Sequence, residues 1–165
     1  DKSLLTGKIA AFAAQGETGG ALGTAFTWYM LSPNWKTIWT GQSKPGEYSE
    51  VTTTQANGKP KLRKVAVIMS DGVFNARRGW GGQNQQDASN DAVQVCANMK
   101  AAGIEIYTVA FDLASLPADQ RTIAEATLKA CGTSLEHFYN TLDAGELQTA
   151  FRDIGVKLSS IALMR

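Results

Sequence analysis

Ser70-Asp71-Gly72 follows five apolar residues, Val65 to Met69, in "KVAVIMSDG". A carboxylate delivered at the end of such a run can meet a hard cation such as Mg²⁺ or Ca²⁺ through oxygen. Gly72 lets the chain turn away, and a plain Asp-Gly turn is the competing reading. Asp112 follows a second apolar run, "IEIYTVAF". Asp71 and Asp112 are therefore also candidates for a two-carboxylate acid/base pair, at a separation the sequence does not set. The single histidine, His137, cannot supply a multi-histidine metal site and reads as structural. No GxxxxGK[ST] or GxSxG occurs, so phosphate-loop chemistry and a nucleophile elbow lose their support. Cys96 and Cys131 lack a CxxC spacing, which argues against zinc and leaves two unrelated thiols or one disulfide.

These residues must be placed by the elements around them. The 165 residues suit one domain, and the net charge of +1 carries no basic block, so nucleic acid is not an expected partner. No apolar run approaches the roughly 20 residues of a membrane span, and no signal peptide opens the chain. The start "DKSLLTG" has no Met and reads as the interior of a longer protein. "SLLTGKIAAFAAQG" places Leu5, Ile9 and Phe12 at helical spacing and stops at Gly16. A second helix follows, ending at Pro33, with Leu22, Ala25, Phe26, Tyr29 and Met30 as its apolar face and Thr18 capping its first turn. Residues 34–63 read as a long surface loop with a short hairpin, of a length that is commonly functional. Trp35, Trp39 and Tyr48 in it are a candidate partner contact, or equally aromatics that cover the sheet edge.

From residue 64 the pattern is strand, helix, strand, helix, strand, helix. Val65 to Met69, β-branched and continuous, predicts a strand buried on both faces. "ARRGWGGQNQQ" predicts a polar loop, and "DASNDAVQVCANMKAAG" a helix closed by Gly103. "IEIYTVAF" predicts a strand, "LPADQRTIAEATLKACG" a helix, and "EHFYNT" a short third strand. The last helix opens with Asp143 as cap and Glu146 reaching back, and carries Leu147, Phe151, Ile154, Leu158 and Ile161 as a stripe. The alternation predicts a parallel sheet with right-handed crossovers. With the strands in sequence order both crossover helices share a face, which makes a Cys96–Cys131 disulfide geometrically reasonable.

"KVAVIMSDG", with "GETGGALG" before it and "GIEIYTVAF" after, resembles the second half of a von Willebrand factor type A domain. "WYMLSPNW", "VCANMKAAGIEIYTVAF", "KACGTSLEHFYN" and "LQTAFRDIG" are similar to the C-terminal region of TadG-like proteins of the bacterial Tad (Flp) pilus assembly system. The resemblance implies a three-layer α/β domain, a mainly parallel sheet with helices on both faces, here lacking its N-terminal strands. Residues 1–165 would be the C-terminal part of that domain, with loop insertions at about 34–63 and 73–86. It also implies a metal-ion-dependent adhesion site, in which Thr18 and Asp71 match the family's Thr and Asp ligands. The family's DxSxS motif does not occur, and Gly19 stands where Asn commonly follows the Thr. Mg²⁺ or Ca²⁺ is thus expected in an intact domain, with weak or no binding by these residues alone.

The implied function is a non-enzymatic binding and assembly module of the bacterial cell envelope, acting in Tad pilus assembly or anchoring. Its partners would be other pilus or envelope proteins at the periplasmic or extracellular face, with a membrane anchor only through an upstream segment. Alternatives are an extracellular adhesin domain of the same fold and, more remotely, an α/β hydrolase or nucleotide-binding enzyme. Without the N-terminal strands, residues 65–69 become an uncovered edge, which predicts a homodimer through that strand or an accompanying upstream piece.

Overall fold

The structure, a computed structural model, describes residues 1–13, 16–77 and 84–159. The helices are α1 (Lys2–Ala10), α2 (Gly20–Leu31), α3 (Ser49–Thr52), α4 (Gln85–Ala101), α5 (Ala118–Cys131) and α6 (Ala144–Ser159). The strands are β1 (Lys64–Ser70), β2 (Ile104–Phe111) and β3 (Phe138–Thr141). All pairing is parallel, in the order β1-β2-β3. Lys64 pairs with Ile104 and Ser70 with Ala110, so β1 and β2 end side by side. Central β2 is apolar on both faces because both are covered: Ile104, Ile106, Tyr107, Val109 and Ala110 are all buried.

Helices α4 and α5 form one outer layer. Cys96 and Met99 of α4 pack with Ala66, Ile104 and Ile106, while Ala124 and Leu128 of α5 pack with Ala110. Helix α6 forms the other layer, seating Ile154, Leu147 and Leu158 against Val65, Tyr107 and Val109. This is the three-layer α/β arrangement that the alternation of elements predicts. Both crossover helices do share a face, and Cys96 and Cys131 are joined by a disulfide across a Cα–Cα distance of 5.1 Å. The starts of α4 and α6 follow capping chemistry. Asn84 Oδ1 accepts from the N–H groups of Gln86 and Asp87. Asp143 Oδ1 accepts from Gly145 and Glu146 N–H, while the Glu146 carboxylate accepts from Leu142 N–H at 2.7 Å.

Several expectations change in three dimensions. Strand β1 is not buried on both faces: Val67 and Met69 are 38% and 45% exposed. The cause is its edge position, since α6 packs over Val65 but leaves the rest of that face open. Helix α2 is apolar nearly all round and buries the opposite side from the expected one, through Thr24, Trp28 and Leu31. Leu22, Phe26, Tyr29 and Met30 are exposed. In α6, Ala150 and Ile154 are buried while Phe151 stands out to solvent. Helix α1 ends at Ala10 and buries none of its residues. The 34–63 stretch holds two 3₁₀ turns, α3 and a small antiparallel bridge, Thr54 to Pro60. The expected loop at 73–86 begins inside the protein, with Val73, Phe74 and Ala76 buried. Residues 78–83 of that loop, Gln15 before the first expected helix stop, and Ile161 lie outside the described residues.

Candidate functional site

The C-terminal end of β1 is built by short-range bonds. Ser70 Oγ donates to the Gly72 carbonyl at 2.9 Å and accepts from Gly72 N–H at 3.3 Å, a turn that leaves Asp71 exposed. The chain then passes back beneath the start of α2. Asn75 Oδ1 accepts from Thr18 N–H at 2.7 Å, and the Asn75 and Ala76 N–H groups donate to the Thr18 carbonyl. Thr18 is therefore anchored by its backbone. Its hydroxyl does not cap α2: Gly19 holds the N-cap position and no side chain caps that end. The register of the peptide with Asn75, not helix capping, places Thr18.

These bonds bring Thr18 and Asp71 to one end of the sheet. A cavity of about 480 Å³ there is lined by Glu17, Thr18, Gly20, Thr24, Met69 and Ser70, and Asp71 directly follows its lining residue Ser70. Gly20 is required by packing. A Cβ at this position would lie 2.2 Å from the buried Phe74 ring. Asp112 leaves the neighbouring strand in the left-handed region, φ 50°, and its N–H donates to the Thr141 carbonyl at 2.8 Å. Its own carbonyl accepts from Ser115 Oγ at 2.7 Å, so Asp112 shapes a turn at the same rim.

Tested as a cation site, this donor set is short. Thr18 offers one hydroxyl and Asp71 one carboxylate, against the six or more oxygens around Mg²⁺ or Ca²⁺. Among the described residues no three His, Cys, Asp or Glu side chains converge on a position for one ion. These residues do not by themselves fit a tightly held divalent cation.

The family model of the von Willebrand factor type A domain matches residues 46–153. The chain belongs to the von Willebrand factor type A domain family. No curated protein and no solved structure matches it. Von Willebrand factor type A domains are generally interaction and adhesion modules, and many bind a divalent metal. The matched span contains Asp71, Asp112 and both cysteines, and begins after Thr18.

The remaining candidates sit elsewhere in this von Willebrand factor type A domain. His137 joins a polar cluster at the opposite end of β2, with Nδ1 2.8 Å from Ser134 Oγ and Nε2 3.1 Å from Glu105 Oε1. Glu105 also accepts from Tyr107 Oη at 2.7 Å and pairs with Arg63. Burial opposes ionisation of Glu105, but bonds from Arg63, Tyr107 and His137 outweigh it and hold the carboxyl below its ordinary value. Burial and then the Glu105 carboxylate push Tyr107 up to about 12. Sequence reasoning missed this cluster, although Glu105 and Tyr107 stand two apart on one strand and so share a face.

It also missed Lys64, which is buried with Nζ donating to the Leu31 and Gly46 carbonyls at 2.7 and 2.6 Å. Desolvation lowers its pKa against the pull of Glu47 and Glu50. The three loop aromatics do not form one patch. Tyr48 accepts from Trp28 Nε1 at 2.8 Å and packs on the core. Trp39 has its Nε1 buried, and Trp35 stacks on Tyr29 with ring centroids 4.7 Å apart. An aromatic run is formed instead by the exposed Phe26 and Tyr29 with the half-buried Trp35, on α2 and the turn after it.

Proposed function

We propose that this chain acts in a non-enzymatic binding and assembly module of the bacterial cell envelope, of the TadG-like kind that serves Tad (Flp) pilus assembly or anchoring. The observation that carries the binding role is the exposed Asp71 at the carboxyl end of a parallel sheet, beside the Thr18-lined cavity. Ligands of open α/β sheets enter at that end. The Tad assignment rests on the sequence stretches 28–35, 95–111, 129–140 and 147–155. The disulfide between Cys96 and Cys131 supports a periplasmic or extracellular location, where oxidising conditions keep such bonds formed. In the intact domain the Asp71 rim would hold Mg²⁺ or Ca²⁺ together with ligands from a DxSxS segment. The partner's acidic group would then complete the coordination.

Pull-down of envelope proteins with the intact domain, with and without Mg²⁺ and Ca²⁺, tests this reading. Capture that depends on the cation and drops at least tenfold in Asp71→Ala is the expected result. Equal capture by Asp71→Ala, or capture indifferent to cation, would sink the metal-bridged version. Normal pilus assembly in cells carrying Asp71→Ala would sink the role in Tad assembly.

A further inference from the structure

We draw no further inference here: the strongest candidate, the groove of about 470 Å³ between β3 and α6 with Asp143, Glu146 and Asp153 on its wall, rests on an acidic cluster whose Asp143 and Glu146 carboxylates already cap the start of α6, and nothing in the structure shows what covers it.

Discussion

Individual side chains at the two ends of the sheet carry different duties, and they can be separated by substitution. At the far end from Asp71, Glu105 has its folded pKa lowered by Arg63, Tyr107 and His137 despite burial. Its stabilisation is thus present above the ordinary carboxylate value of 4.5 and is lost as pH falls through the lower folded value. Thermal unfolding of Glu105→Gln should show a flatter loss of stability below pH 4.5 than the unsubstituted chain. Tyr107 behaves oppositely, being raised from 10.0 to about 12. Stability tied to its protonated form is full below pH 10.0 and drains as pH rises toward about 12, and Tyr107→Phe should remove that alkaline limb. Glycine positions offer a sharper contrast. Gly20→Ala drives a methyl into the buried Phe74 ring and should cost about 1–3 kcal/mol by chemical denaturation. Gly23→Ala, on the same helix with open space around it, should stabilise by about 0.5–1 kcal/mol. Sequence alone could not tell these two glycines apart, because only the fold brings Phe74 onto one of them.

Among the elements, the sheet and the helices that cover it follow local sequence closely. Apolar runs at 64–70 and 104–111 and helices at 85–101, 118–131 and 144–159 sit where periodicity puts them, the first and last of these helices with side-chain caps. Asp143→Ala should lower stability by about 1 kcal/mol, because two N–H groups at the start of α6 lose their acceptor. The disulfide ties α4 to the end of α5 across 35 residues of chain. Urea unfolding should show a gap of about 3–4 kcal/mol between oxidised and reduced protein. The double variant Cys96→Ala/Cys131→Ala should close that gap. Helix α2 resisted reading because it is apolar nearly all round, so no periodicity marked its buried side. Residues 34–63 resisted for a different reason. Their order comes from long-range bonds such as Trp28 to Tyr48 and Lys64 to Gly46, which no local pattern announces.

At the scale of the whole molecule, the exposed Asp71 stands at one end of the sheet, and β1 lies at the edge of the described sheet. The sequence by itself determined the strand–helix alternation, the parallel three-layer class and the delivery of a carboxylate to the rim. All of these follow from apolar run length, caps and handedness, which act within a few turns of chain. Tertiary structure decided what lies at each surface. It exposed Val67 and Met69 by placing β1 at the edge, and it turned α2 so that Trp28 went in and Phe26 out. It positioned Thr18 through Asn75, fifty-seven residues away in sequence, and so not through its own helix. Burial and pairing across such distances depend on how layers stack, and a local pattern records only that a side chain is apolar, not which neighbour will cover it.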